Sequence, residues 1–175
     1  MSMPARADRP VLPDVLEPGL MLVFCGTAAG KRSAEERAYY AHPGNLFWRA
    51  LLQAGLTPRL FVPAEFPQLR ALGIGLTDLA KRHSGNDAEL PPGAFDVDAL
   101  RDKIKRYRPR LLAFTSKRAA RTALGHAVNY GLQDETLECS TLVVLPSPSG
   151  QARGHWDIRP WLALGELYRD LGADL

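Results

Sequence analysis

The chain alternates between continuous apolar runs and segments whose apolar residues recur at helical spacing. Continuous apolar runs of strand length are typical of buried parallel strands. Here they cover residues 19–26, 74–80, 110–116 and 140–150, the last leading into a loop rich in proline and serine. Helical spacing predicts helices over residues 45–55, 63–73, 96–109, 117–125 and 161–171. This alternation predicts a three-layer α/β/α sandwich with a central, mainly parallel sheet of four to five strands.

The ends of the predicted strands define the edge where we expect a functional site. In a parallel sheet covered by helices, ligands bind beyond the carboxyl ends of the strands. The loops at those ends cover residues 26–43, 81–95, 116–118 and 146–154. Segment 81–95 has turn-forming residues and no hydrophobic period, and loops of that length within a domain are commonly functional. The pattern therefore predicts a single active face.

Length and charge narrow the class of protein. The 175 residues suit one domain, which we place at residues 12–175 after a flexible N-terminal arm of residues 1–11. A formal net charge of +3 is compatible with a polyanionic partner. No apolar stretch approaches the roughly 20 residues of a membrane span, and the N-terminus lacks the apolar core of a signal peptide. We expect a cytoplasmic monomer with no membrane partner.

The two cysteines, Cys25 and Cys139, both lie in apolar, strand-like runs. This setting predicts buried free thiols in a reducing compartment rather than a disulfide. Two cysteines are too few for a zinc knuckle or a four-cysteine iron–sulfur cluster. We therefore expect neither a metal nor another cofactor.

The glycine-rich stretch VFCGTAAGKRS, residues 23–33, raises the question of a phosphate-binding loop. That loop requires G-x-x-x-x-G-K-[ST], so that successive backbone amides surround a phosphate. Here only three residues separate Gly26 from Gly30, and Arg32 stands where the serine or threonine is needed. Nucleotide binding remains an alternative, and so does a strand-to-helix turn without chemistry.

Five segments together resemble a known family in their order and spacing. They are VFCGTAAG, YAHPGNLFWRALLQAGLTPR, GIGLTDLAKR, LAFTSKRA and VLPSPSG. The chain resembles, over roughly residues 12–170, the mismatch-specific uracil/thymine DNA glycosylases, a branch of the uracil-DNA glycosylase superfamily. The resemblance implies a parallel α/β/α fold and hydrolysis of the N-glycosidic bond of uracil or related bases, which initiates base-excision repair. It implies double-stranded DNA containing uracil or mismatches as the partner, with single-stranded DNA a further candidate.

The resemblance also assigns residues to a base-binding pocket. The target base must leave the duplex to be reached, and stacking on an aromatic ring recovers part of the cost. Tyr40 takes the position of the stacking aromatic residue. A turn at Gly26, Thr27 and Ala28 would offer backbone groups to the base edge, and Ser33 matches a serine near the position of a thymine methyl group.

A second group of residues is expected to contact the DNA. Segment SPSGQAR resembles the loop that presses into the minor groove, with Gln151 where relatives often have an apolar wedge and Ser147 where they carry Asn or His. The predicted DNA-contacting residues of this loop are Ser147, Ser149, Gly150, Gln151 and Arg153. Basic residues flanking the active face are candidates for phosphate contacts: Lys81 and Lys117, with Arg82 and Arg118 beside them.

One departure from the family concerns the catalytic water. Relatives read G-I-N-P-G, where the Asn positions the water, whereas this chain reads G-T-A-A-G with Ala28 at that place. A methyl group cannot orient water, so we expect Asp87 in the 81–95 loop to take that role, with Asp78 in reserve as a more structural candidate. The alternative is a catalytically silent protein that binds uracil or abasic DNA.

Overall fold

The computed structural model describes residues 9–173 and, at position 153, the backbone without the side chain. Most of the predicted N-terminal arm therefore lies outside the described residues. The strands are β1 (Leu22–Ala29), β2 (Ile74–Ser84), β3 (Leu111–Phe114), β4 (Gly131–Leu137) and β5 (Ser140–Val144). The α-helices are α1 (Lys31–Glu36), α2 (Phe47–Gln53), α3 (Val97–Tyr107), α4 (Lys117–Leu124) and α5 (Arg159–Ala173). Short 3-10 helices cover Pro63–Leu72, Asp87–Glu89 and Gly150–His155.

The strands form one five-stranded sheet in the order β2-β1-β3-β5-β4. Strands β2, β1, β3 and β5 are parallel, and β4 pairs antiparallel with β5 at the edge. The predicted fold class, an α/β/α sandwich with a mainly parallel sheet, is confirmed. Because the four parallel strands share one direction, their carboxyl ends meet at one edge, where the 26–43, 81–95, 116–118 and 146–154 loops also lie.

The two faces of the sheet are covered by different helices. On one face, Phe24 of β1 packs against Phe47 of α2 and Trp161 of α5, with ring centroids 5.1 Å and 5.8 Å away. On the other face, Cys25 belongs to the apolar cluster that contains Leu100 of α3 and further residues of α4. The alternation of strand side chains between faces thus places residue 26, like Phe24, on the side of α2 and α5.

Several sequence expectations need correction. The turn expected at Gly26, Thr27 and Ala28 is wrong, because β1 continues through these residues to Ala29. Strand β2 likewise continues to Ser84, past the predicted end at residue 80. The long strands pair with each other, Ala28 lying opposite Ala80.

The remaining differences concern β4, α1, segment 63–73 and Cys139. Strand β4 was not predicted, because its residues are mostly exposed and form no apolar run. Helix α1 was not predicted either, and segment 63–73 forms a 3-10 helix. Cys25 is buried as expected, but Cys139 is exposed at the turn between β4 and β5, so the prediction of a buried thiol there is wrong. No helix within residues 9–173 is long and apolar enough to span a membrane.

The segment before β1 is hydrogen-bonded along the outer edge of β2, through Val11 and Val15. The backbone of Val15 exchanges hydrogen bonds with Leu76, 2.9 Å and 3.0 Å long, and the Val11 N–H donates to the Lys81 carbonyl. The Asp14 carboxylate pairs with Lys81 at 2.9 Å and with Lys103 of α3 at 2.8 Å. These contacts cover the outer edge of β2, which would otherwise present unpaired backbone groups.

Candidate active site at the carboxyl edge of the sheet

Three polar side chains converge on Gly26 near the carboxyl end of β1. A Cβ atom built on Gly26 would lie 2.7 Å from Asp78 Oδ1, 3.3 Å from Thr115 Oγ1 and 3.4 Å from the Tyr40 hydroxyl oxygen. The first distance is too short for a real contact, so any side chain at position 26 would displace the Asp78 carboxyl. We call Gly26, Asp78 and Thr115 the floor of the site.

The stacked rings of Tyr40 and Phe47 lie beside this floor, and we call them the aromatic wall. The Tyr40 ring stacks on Phe47 of α2, with centroids 3.9 Å apart and planes 18° from parallel. The Tyr40 hydroxyl donates a hydrogen bond to Thr115 Oγ1 at 3.3 Å. Burial raises the pKa of the Tyr40 hydroxyl well above its usual value, and the Asp78 charge adds to this shift. Tyr40 therefore remains a neutral hydrogen-bond donor and cannot serve as a base.

The Asp87 carboxylate lies at the rim of the site, beside the end of β1. The Gly85 N–H donates to the Ala29 carbonyl at 2.9 Å, which directs the chain after β2 toward β1. Asp87 then opens a short 3-10 helix, and its Oδ1 accepts a hydrogen bond from Thr27 Oγ1 at 2.8 Å. Thr27 immediately precedes Ala28. Because side chains alternate between the two faces of a strand, the Thr27 hydroxyl and Asp87 lie on the face opposite to the Ala28 side chain, one residue away along β1.

Asp78, the reserve candidate, occupies a different environment. Its side chain is buried within the floor, with 6% of the residue exposed. Burial raises the pKa of the Asp78 carboxyl to about 6, while Lys81 acts in the opposite direction. The neighbouring Gly26 N–H also favours the charged form. Asp78 is therefore an ionisable group enclosed by the protein, whereas Asp87 is half-buried at the surface.

Ser33 is buried in α1, and its Oγ accepts a hydrogen bond from the Ala41 N–H at 3.0 Å. The resemblance places a thymine methyl group near this serine. In the structure its hydroxyl contacts the backbone next to Tyr40, so its nearest partner belongs to the segment that carries the aromatic wall.

The 147–153 loop presents its tip to solvent. Ser147 Oγ accepts a hydrogen bond from the Ser149 N–H, and Ser149 Oγ accepts one from the Gln151 N–H, both at 3.3 Å. These two bonds shape consecutive turns that leave Gly150 and Gln151 exposed. The side chain of Arg153 lies outside the described part of the structure, so its predicted DNA contact stays a prediction.

The two lysines predicted to contact phosphates differ in their surroundings. Lys81 pairs with Asp14 and donates to the Tyr39 hydroxyl at 3.0 Å, and only 15% of its side chain is exposed. These contacts hold Lys81 against the protein and argue against its predicted phosphate contact. Lys117 lies 4.4 Å above the centre of the Tyr130 ring and is half-exposed. Arg82 is also exposed, and Arg118 lies over the Phe95 ring.

Sequence reasoning missed two contributors to this site, Thr115 and Phe47, and one contact of a predicted residue, Thr27. Thr115 directly follows the buried run of β3, so its position at the carboxyl edge of the sheet could have identified it from the sequence. Phe47 belongs to the helix predicted over residues 45–55, and only the structure shows it against Tyr40. The hydroxyl of Thr27 could not be paired with Asp87 from sequence, because the two residues belong to different strands and loops. Within residues 9–173 no three His, Cys, Asp or Glu side chains come close enough to hold a metal ion.

The described residues thus form an α/β fold with a polar, aromatic-walled site at the carboxyl edge of its sheet. The family model of the uracil DNA glycosylase superfamily matches residues 13–171, and the chain belongs to this superfamily. A solution NMR structure from Methanosarcina acetivorans, provisionally named a uracil DNA glycosylase, is similar with a TM-score of 0.61 and 23% sequence identity. The similarity covers 92% of this chain and 98% of that one, and it shows the shared fold.

Proposed function

We propose that this protein is a monofunctional DNA glycosylase that hydrolyses the N-glycosidic bond of uracil in DNA and leaves an abasic site. Membership of the uracil DNA glycosylase superfamily supports a DNA glycosylase function. The observation that carries the finer assignment is the 2.8 Å hydrogen bond from Thr27 to Asp87, which holds a carboxylate at the end of β1, one residue before Ala28. A carboxylate thus stands next to the position where relatives place an amide.

The aromatic wall and the floor supply the base-binding part of the proposal. A flipped base stacks on the Tyr40 ring, and base–aromatic stacking contributes about 1–3 kcal/mol. The hydroxyls of Tyr40 and Thr115 provide hydrogen-bonding groups at the floor. The small side chain of Ala28 leaves room for other deaminated or modified bases.

Asp87 supplies the hydrolytic part of the proposal. As the bond between the sugar C1′ and the base breaks, positive charge develops on the sugar and the base departs as an anion. A nearby carboxylate stabilises the positive charge and accepts a proton from the attacking water. The water oxygen bonds to C1′, and the proton taken from water finally neutralises the released base.

The partner in this proposal is double-stranded DNA that contains uracil or a mismatch, as in the mismatch-specific branch, with single-stranded DNA as a second substrate. The exposed tip at Gly150 and Gln151 enters the minor groove, and Lys117 contacts a phosphate. The protein acts as a monomer in the cytoplasm and uses no cofactor.

Ala28 favours one alternative, a silent protein that binds uracil or abasic DNA without cutting it. End-labelled oligonucleotides with one uracil opposite G, opposite A or in a single strand distinguish the two functions. The proposal predicts a break at uracil only after alkali treatment, and none in the thymine-containing control. Tight binding without any alkali-sensitive product would establish the silent binder, and neither binding nor product would contradict both functions.

A further inference from the structure

Tyr40, which carries the aromatic wall, has an unusual backbone conformation. Its φ angle is +52°, in the left-handed region that disfavours residues with a Cβ atom. Such a conformation persists only where the surrounding contacts enforce it. The neighbours of Tyr40 in the chain should therefore be held firmly on both sides.

Two hydrogen bonds from side chains of the flanking helices α1 and α2 hold those neighbours. After Tyr40, the Ala41 N–H donates to the buried Ser33 Oγ at 3.0 Å. Before Tyr40, the Tyr39 carbonyl accepts a hydrogen bond from Trp48 Nε1 at 3.1 Å. Both bonds are buried, and in such surroundings an unmade bond leaves a polar group unsatisfied.

We propose that Ser33 is a positioning residue for base binding, because its hydroxyl holds the Ala41 amide and thereby keeps Tyr40 in the conformation that stacks its ring on Phe47. The inference rests on the proposed function, in which the Tyr40 ring stacks on the flipped base. Ser33 then influences the base through the aromatic wall, and not through a contact with a methyl group.

Loss of the Ser33 hydroxyl has two structural consequences. The Ala41 N–H would remain buried without an acceptor, since Ala41 is only 7% exposed. Residue 40 would then be free to leave the left-handed region, and its ring would move away from Phe47 and from Thr115. The binding surface for the base would no longer be formed in advance, which weakens recognition.

A double-mutant cycle tests this dependence on Tyr40. Single-turnover uracil excision is measured for Ser33→Ala, Tyr40→Ala and the double variant. We expect Ser33→Ala to slow excision about tenfold in the wild-type background and less than twofold in the Tyr40→Ala background. An equal loss in both backgrounds, or no loss in either, would overturn the proposal.

Ser140→Ala is the matched control. Ser140 is a fully buried serine at the amino-terminal end of β5, away from the site, and its hydroxyl donates to the Pro109 carbonyl. The substitution should lower thermal stability without changing excision by the folded protein. If Ser33→Ala does not fold, Trp48→Phe removes the hydrogen bond on the other side of Tyr40, and the same cycle applies to it.

Hydrogen exchange gives a readout that needs no substrate. The Ala41 amide should be protected in the wild type and should exchange at least tenfold faster in Ser33→Ala, while Ser140→Ala leaves it unchanged. Unchanged protection in Ser33→Ala would overturn the proposal even if the wild type excises uracil. If the wild type excises nothing, the proposed function is wrong, and exchange alone then decides whether Ser33 holds the Tyr40 segment.

Discussion

Two carboxylates from one stretch of chain, Asp78 and Asp87, differ in burial at the carboxyl edge of the sheet. Asp78 lies inside β2, buried beneath the site against Gly26, and burial raises the pKa of its carboxyl to about 6. Asp87 lies beyond the end of the same strand, half-buried, with one oxygen held by Thr27. Position along one strand thus separates a carboxylate buried in the floor from one that lies at the surface, beside the end of β1.

The contrast has a physical basis in solvation. Burial deprives an ionised carboxylate of its hydration, so its charge opposes folding. A carboxylate at the rim keeps part of its hydration and has an oxygen left to bind a water molecule. We therefore expect variants of Asp78 to change mainly stability and variants of Asp87 to change mainly the rate of excision.

The largest expected effect belongs to Asp87. Asp87→Ala should slow single-turnover uracil excision by about 100- to 10,000-fold, the range typical of a lost general base. Asp87→Asn keeps a group that can orient water but not the charge, so its loss should be smaller. Affinity for DNA carrying a stable abasic-site analogue, measured by fluorescence anisotropy, should be nearly unchanged in both variants. A large loss of that affinity would instead make Asp87 a DNA-binding residue.

Asp78 should give the wild type a distinctive pH dependence of stability. An acid whose pKa is higher in the folded protein than in the unfolded chain binds more protons when folded, between the two values. The free energy of unfolding should therefore fall as the pH rises from about 4 to about 6, and this contribution should be constant above that. The shift from 3.8 to about 6 corresponds to about 3 kcal/mol.

Asp78→Asn provides the comparison for this prediction. Urea unfolding of the variant should lack that component, so that the wild type loses about 3 kcal/mol more than the variant between pH 3 and pH 8. Asp14, whose pKa is lowered by its lysine partners against the effect of burial, keeps these partners in both proteins. Parallel stability curves for the two proteins would show that the Asp78 charge is not destabilised by burial.

A smaller effect is expected from the residue that holds Asp87. Thr27→Val removes the hydrogen bond to the carboxylate but keeps the shape of the side chain, and a hydrogen bond to a charged group contributes about 1.5–3 kcal/mol. Excision should slow about 10- to 100-fold, with kcat affected more than KM. Thr122→Val is the control, because the Thr122 hydroxyl bonds only to the Arg118 carbonyl within α4. Equal losses of excision rate in the two variants would show that Thr27 has no specific role in positioning Asp87.

The smallest effect concerns the two lysines. Lys117→Gln should lower the slope of log binding constant against log salt concentration by about one unit, as expected for one lost phosphate contact. Lys81→Gln should leave the slope unchanged and lower stability, because Lys81 pairs with Asp14. A changed slope for Lys81 and an unchanged one for Lys117 would reverse the assignment.

The amino-acid sequence predicts the parallel part of the fold well, because buried strands such as β1 and β3 are continuous apolar runs. It does not predict β4, whose exposed residues follow no apolar pattern. The strand state of Gly26 to Ala28 was also missed, because small residues and glycine suggest a turn until the pairing partner in β2 is known.

The candidate site was predicted only in part for a related reason. The positions of Tyr40 and Asp87 in the sequence identified them as candidates for the site. Which groups a side chain can bind, however, depends on its contacts across the sheet. The pairing of Lys81 with Asp14 joins residues far apart in the chain, so a lysine that looked free for DNA is occupied. The hydrogen bond between Ser33 and Ala41 likewise depends on how α1 meets the Tyr40 segment.

The most direct test of the central claim compares the two carboxylates in one assay. Single-turnover excision of uracil from the same duplex is measured for the wild type, Asp87→Ala and Asp78→Ala, at a temperature where all three are folded. The account predicts alkali-sensitive product from the wild type, a rate at least 100-fold lower for Asp87→Ala, and a loss below tenfold for Asp78→Ala. A wild-type rate in Asp87→Ala, or a greater loss in Asp78→Ala, would contradict it.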